Sequence, residues 1–283
     1  MKSLREVVAD AKEKGIAIAH FNVSDSTQLH GVVEVADELK LPVIIGVSEG
    51  EAKFIGRRFL AAMVKEYQRQ GKPVYLNADH THDLVGIQES IDAGFDAVII
   101  DGAKLPLEEN IKITREAVAL ARNSGRDILV EAELGFIGEG SKMIDVAPTG
   151  LEKTNPEVAA RFVRETGIDL FAPAVGNIHG VLAGGINPHI DIPLLQSIIS
   201  ACGVSLVLHG GSGIPDDDFT QAVQSGIDII HINTEIRMAY RKGIEAALLA
   251  DPKEVTPAKY LGKGKEELKA VVKARMKLFA RMS

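Results

Sequence analysis

Two stretches of the chain share one form: DAGFDAVII (Asp92–Ile100) and QSGIDIIHI (Gln224–Ile232). Each reads as the end of a helix, a glycine in the left-handed cap position, and then a short strand rich in Val and Ile. Strands of this kind recur through the chain: Ile16–Val23, Pro42–Val47, Val74–Ala78, Ala97–Asp101, Ile128–Glu133, Leu170–Val175, Ser205–Leu208 and Ile229–Asn233. Most lack polar alternation, the pattern of strands buried on both faces in a parallel sheet. Helical spacing fills the gaps, as in Gln28–Lys40, Leu107–Asn123 and Pro156–Thr166. Eight such strands predict a (β/α)8 TIM barrel, with an open doubly wound sheet as the rival. Polar residues at the strand ends favour the barrel, because only there do all the ends share one mouth. They are Asn22, Ser48, Asp79, His80, Asp101, Glu133, Asn177, His179, His209 and Asn233. We expect one barrel domain over residues 1–283, with extra terminal helices, the last from Lys265 to Met282.

Bulk properties narrow the function. The chain has 283 residues and a formal net charge of −7, so it is not built to coat nucleic acid or an anionic membrane. Its single cysteine, Cys202, allows no internal disulfide and fits a reducing cytoplasm. The charged start, MKSLREVVADAKEKG, reads as a surface helix rather than a signal peptide, and no apolar run approaches the ~20 residues of a membrane span.

Three histidines stand at strand ends: His80, His179 and His209. Three imidazoles with an open fourth position make a catalytic zinc site, although any one of them alone would be read as a core or loop histidine. Asp79 precedes His80 and can move a proton or ligate; as a turn-former or helix cap it would do neither. His82 and Asp83 fit a loop and an N-cap better. LHGGSG (Leu208–Gly213) follows the seventh strand and precedes a helix, so its backbone N–H groups can converge on a phosphate. Asn233 and Thr234 supply the other half of that site, after the eighth strand.

The order of these motifs resembles the class II, metal-dependent fructose- and tagatose-bisphosphate aldolases. The likeness runs through HFNVSDSTQLHGVVEVADELKLPVIIGVSEG, NADH, VIIDGAKLPLEENI, VEAELG, AVGNIHG, LVLHGGSGIP and TEIRMAYRKGI. The resemblance implies zinc on His80, His179 and His209, Asp79 in proton exchange, and Asp101 and Glu133 at a second or alternative metal position. It assigns dihydroxyacetone phosphate to Gly180, Gly210, Gly211, Ser212, Asn233 and Thr234, with Asn22 and Ser48 also substrate-facing. It further implies reversible cleavage of a ketose 1,6-bisphosphate, Zn2+ with a second divalent or a monovalent cation, and a homodimer or homotetramer.

Three departures stand out. The loop FIGEGSKMID lacks the family's acidic run, leaving Glu139 as the nearest base for the carbon-bound proton. Leu182 and Ala183 stand where the family often has Tyr-Lys, and the turn after the eighth strand is short. A cation from elsewhere, such as His231 or Arg281, would then serve the phosphate. A Schiff-base aldolase lacks a strand-end lysine, since Lys104 falls in a loop. A metal-dependent hydrolase would leave GGSG without a task, and a barrel that binds phosphate without turnover is the non-catalytic alternative.

Overall fold

The computed structural model describes residues 1–138, 140–149, 151–184 and 186–282. Ten strands alternate with eleven helices among these residues. The strands are β1 (Ile18–Asn22), β2 (Val43–Val47), β3 (Val74–Thr81), β4 (Ala97–Ile100), β5 (Leu129–Leu134), β6 (Met143–Ile144), β7 (Leu170–Pro173), β8 (Val181–Leu182), β9 (Ser205–Leu208) and β10 (Ile227–Ile232). The helices are α1 (Leu4–Lys14), α2 (Ser26–Leu39), α3 (Glu49–Ile55), α4 (Arg57–Arg69), α5 (Leu84–Ala93), α6 (Leu107–Asn123), α7 (Pro156–Thr166), α8 (Ile192–Cys202), α9 (Asp216–Ser225), α10 (Thr234–Ala250) and α11 (Pro257–Phe279). Eight strands close a parallel barrel in the order β1-β10-β9-β7-β5-β4-β3-β2. The closing pair, β1 with β10, rules out the open sheet: Ile18 meets Ile229 and His20 meets His231. β6 and β8 form a separate parallel pair. The two stretches of shared form behave as expected, for Gly94 and Gly226 end α5 and α9 at φ 100° and 111°.

Alternation along each strand divides the side chains between two cores. Phe21, Ile45, Leu76 and Val98 face out and pack under the helices. Ile18, Ile44, Tyr75, Ala97, Leu129, Leu170, Val207 and Ile229 face in, and α1 closes this inner cluster from below with Leu4, Val7, Val8 and Ala11. These four lie at i, i+3, i+4 and i+7, one face of a helix. The N-terminal helix is therefore a plug rather than only a surface helix, and the Tyr75 hydroxyl ties it down by donating to Lys2 O at 2.9 Å. Above the apolar floor the barrel turns polar. His20, Asn77, Glu131 and His231 form a buried layer, topped by Asn22, Asp79, Glu133 and His209. Gly46 belongs to that layer by having no side chain: a Cβ there would sit 2.1 Å from His20 Cε1.

Several boundaries differ from expectation by a residue or two, and three differences bear on the fold. β3 runs on to Thr81, past the expected end at Ala78, with a register shift against β4 between Ala78 and Thr81. The bulge sets His80 in the left-handed region at φ 48°, a strained conformation for a residue with a Cβ. β10 begins at Ile227 rather than Ile229. The last helix begins at Pro257 rather than Lys265, with proline in its first turn. It buries Leu268, Val272, Met276 and Phe279 against α2, α9 and α10, so it belongs to the outer layer of the fold.

Candidate active site

The β3 bulge and two loops bring the three histidines together. His80 and His179 stand edge to face with ring centroids 4.8 Å apart, and His80 and His209 at 4.9 Å. His179 lies in the loop after β7, where its N–H donates to Ile137 O at 2.9 Å. Asn177 steadies the same loop by donating to His209 O at 3.0 Å. The outward nitrogens are committed: His80 Nδ1 donates to Asp101 Oδ2 at 2.9 Å, and His209 Nε2 faces Glu131 Oε1 at 2.6 Å. The inward nitrogens, His80 Nε2 and His209 Nδ1, are left facing each other at 3.2 Å. Two nitrogens on one tetrahedral zinc at ~2.05 Å lie about 3.3 Å apart, so the spacing suits a shared ion. Glu133 Oε1, buried and without a hydrogen-bond partner, lies 3.0 Å from His209 Nδ1. One donor atom from each of His80, Glu133, His179 and His209 falls within 4.8 Å of all the others, a group able to hold a metal ion.

The electrostatics agree. Burial opposes charge on His80, yet Glu133, Asp79 and Asp101 raise its pKa to about 9. Burial likewise opposes charge on His209, but Glu133 and Glu131 hold it well above the ordinary value. A site this negative attracts a divalent cation as it attracts a proton, and the ion takes the proton's place. Burial, helped by positive charge on His80, pushes His179 down to about 4, so it offers a bare nitrogen.

Asp79 lies beside this group. Its Oδ1 is 3.9 Å from His80 Nε2 and 3.4 Å from His231 Nδ1, and its Oδ2 accepts from Asn22 Nδ2 at 2.8 Å. Burial would raise its pKa, but His80 and then His231 hold it well below the carboxylate range. Asn22 Nδ2 also donates to Glu51 Oε2 at 2.9 Å. Ser48 donates to Glu51 Oε2 through both its hydroxyl and its N–H, each at 2.8 Å.

On the other side, the Gly210–Gly213 turn meets the N-terminus of α10. Gly211 N–H is spent on His231 O and Gly213 N–H on Glu235 Oε1. Ser212 Oγ accepts from the N–H groups of Asn233 and Glu235. Among the described residues this leaves the amides of Gly210, Ser212 and Thr234 to meet an anion. A recess lined by these residues, Asn22, Gly180 and Asn233 joins the histidines. Beyond it the mouth widens to a cavity of about 410 Å³ lined by Ser48, His82, Lys104, Phe136, Ser141 and Arg237, among others.

This order of groups in one closed barrel frames the likeness to known proteins. The profile of the family "Fructose-bisphosphate aldolase class-II" matches residues 2–282. The chain belongs to the class II fructose-bisphosphate aldolase family. It is 37% identical over 281 residues to a Bacillus subtilis protein named "Probable fructose-bisphosphate aldolase", covering 98% of this chain and 96% of that one. It is 36% identical over the same length to a Staphylococcus aureus fructose-bisphosphate aldolase, with the same coverage. The crystal structure of the YdjI aldolase from Escherichia coli K12 superposes with a TM-score of 0.83 at 31% identity, covering 99% of this chain and 97% of that one. The chain is thus an aldolase, a lyase of the class II fructose-bisphosphate type.

Sequence-predicted residues map unevenly onto this aldolase site. His80, His179, His209 and Glu133 converge, with Asp79 beside them, while Asp101 lies one step out, behind His80. Glu139 lies outside the described residues. Of the two substitute cations, Arg281 is displaced, reaching Gly15 O next to the α1 plug at the far end. His231 lines the recess but is stacked on His20 with centroids 3.5 Å apart, where burial and then His20 push its pKa well below the ordinary value, so it brings no charge. The cation at the mouth near α10 is instead Arg237, which donates to Ser141 O and Glu51. Sequence reasoning passed over Glu131, Glu51, His20 and Arg237. Glu131 had a signal: it lies two residues before Glu133 in VEAELG and must share its face.

Proposed function

We propose that this aldolase is zinc-dependent and reversibly cleaves fructose 1,6-bisphosphate to dihydroxyacetone phosphate and glyceraldehyde 3-phosphate, with tagatose 1,6-bisphosphate as the alternative substrate. The observation that carries the metal is the 3.2 Å approach of His80 Nε2 to His209 Nδ1 beside an unpartnered Glu133 oxygen. When bound, zinc supplies a Lewis acid for the negative charge that carbon–carbon cleavage leaves on the ketose fragment. Asp79 takes the C4 hydroxyl proton in cleavage and returns it in condensation. Asp101 and Glu131 hold the tautomers of His80 and His209 that turn bare nitrogens inward. The amides of Gly210, Ser212 and Thr234 and the α10 N-terminus hold the phosphate of the dihydroxyacetone half, with Gly180, Gly211 and Asn233 around it. The aldehyde half points into the wider mouth, toward Ser48 and Lys104. Glu139 exchanges the carbon-bound proton; its neighbours Gly138 and Gly140 line that mouth.

The working form is one barrel domain, cytoplasmic, and a homodimer or homotetramer. Phe54 and Phe59 support an interface, being 79% and 75% exposed. Among the described residues no helix is long and apolar enough to cross a membrane. The decisive experiment assays purified protein on both bisphosphates, with zinc and after chelation. Cleavage should vanish with the metal and return with zinc. Asp79→Ala should keep zinc and lose about two to four powers of ten in kcat. Full turnover by metal-free protein would reject the reading.

A further inference from the structure

Glu51 is a buried carboxylate that the chemistry above does not use. It lies in the first turn of α3, 6% exposed, and collects donors from three parts of the barrel. Its Oε2 accepts from Ser48, by N–H and hydroxyl, and from Asn22 Nδ2; its Oε1 accepts from Ser24 Oγ at 3.3 Å and from Arg237 Nη2. An amide NH2 carries two protons in one plane. Asn22 gives one to Glu51 and the other to Asp79 Oδ2, at 2.9 and 2.8 Å. With both accepted, the amide cannot turn without breaking one bond.

The other oxygen of Asp79 has only a longer approach, 3.4 Å to His231 Nδ1. Asp79 Oδ1 is buried without a hydrogen-bond partner. The angle at which Asp79 meets the reacting hydroxyl is therefore set on its Oδ2 side, by Asn22, and the angle of Asn22 is set by Glu51. Asn22 and Asp79 are 2% and 5% exposed, so water does not replace a lost partner there. Arg237 meets Glu51 from α10 and balances its charge, which keeps two buried carboxylates on one amide from being driven apart.

We propose that Glu51 is a positioning residue of the aldolase reaction, which acts through Asn22 to hold Asp79 in its proton-transfer orientation. The proposal rests on the role given to Asp79 above. A purely structural Glu51 would serve only the capping box with Ser48 at the start of α3.

The test uses the zinc-loaded full chain. Glu51→Ala should lower kcat about ten- to hundredfold, the scale of a small misplacement of a reacting group, while zinc content stays at the wild-type level. Glu51→Gln keeps a carbonyl oxygen for Asn22 and should retain at least about a third of wild-type kcat, though it loses charge toward Arg237. Asn22→Ala combined with Glu51→Ala should be no slower than Asn22→Ala alone, because the two act in series. If Glu51→Ala does not fold, Glu51→Asp, which withdraws the carboxylate from Asn22, should show the same loss. Wild-type kcat in the truncated variant, a change in KM alone, or additive losses in the double variant would overturn the proposal. A crystal structure of the variant decides independently of turnover: Asn22 and Asp79 should leave their positions by about 1 Å or more, and unmoved side chains would reject the idea. A wild-type enzyme that cleaved neither bisphosphate would instead reject the substrate and the Asp79 role proposed above and leave the crystallographic arm standing.

Discussion

Glu131 shows how much of this site hangs on side chains that never reach the mouth. It is fully buried and faces His209 Nε2 at 2.6 Å. Burial raises its pKa, and the close contact holds one proton between carboxylate and imidazole. With that proton fixed on the outer side, His209 Nδ1 is turned bare toward the histidine group. Glu131→Gln keeps an acceptor but loses the charge that makes the imidazole a strong ligand. Zinc affinity should fall about 10- to 100-fold, the usual cost of losing such a partner, with kcat per bound zinc nearly unchanged. Competition against a chromophoric chelator measures this, and unchanged affinity would deny Glu131 the role. The three histidines were legible because each stands at or shortly past the end of an apolar strand, where imidazole has no packing reason to be. His20 and His231 were not. Each sits inside a run of Ile, Ala and Phe and reads alone as a core histidine. Their partnership exists only because β1 closes on β10, with His20 opposite His231, a contact 211 residues apart in number (231 − 20) that no local pattern encodes.

At the scale of the element, β2 gives up a side chain so that β1 can keep one. A Cβ on Gly46 would lie 2.1 Å from His20 Cε1 and 2.5 Å from its Nε2. Gly46→Ala should therefore destabilise by about 1–3 kcal/mol, the range for overpacking, seen as a fall of several degrees in Tm. Adding His20→Ala should restore part of the loss, and a single variant that melts with wild type would show that the ring moves aside freely. Element type was readable throughout, from periodicity and from glycine caps such as Gly94 and Gly226. Ends were harder to read. β3 outruns its apolar stretch because a bulge carries it through Asp79, His80 and Thr81, and pairing with β4 outweighs the polar composition. The same bulge explains how adjacent residues, which would point to opposite faces of a regular strand, both reach the centre. α1 was legible as a helix, but its destination was not. Leu4, Val7, Val8 and Ala11 announce an apolar face without naming what it covers.

At the scale of the whole molecule, the proposed metal and the barrel would support each other. His80 extends β3, His209 follows β9, and His179 lies in the loop after β7, so one ion held as proposed would tie three separate segments. Zinc at about 100 times its dissociation constant should add about 2.7 kcal/mol to the folded state, or roughly 4–5 °C in Tm for a chain of 283 residues, whose unfolding entropy is about 0.6 kcal/mol/K. Calorimetry with zinc and with chelator reads this directly, and identical melting would mean that no ion binds the folded form selectively. Barrel closure was predictable because eight polar strand ends make sense only around one rim, while the polar layer beneath that rim came from the structure alone. The α1 plug gives that layer a further meaning. With Leu4, Val7, Val8 and Ala11 sealing the floor and an oily band of Ile and Leu above them, the tube is a blind well. No water wire can rise to Asp79 from below. Every proton, product and solvent molecule must pass the same rim, and the residues around it, Phe136, Gly138 and Ser141 among them, control the traffic of the entire reaction.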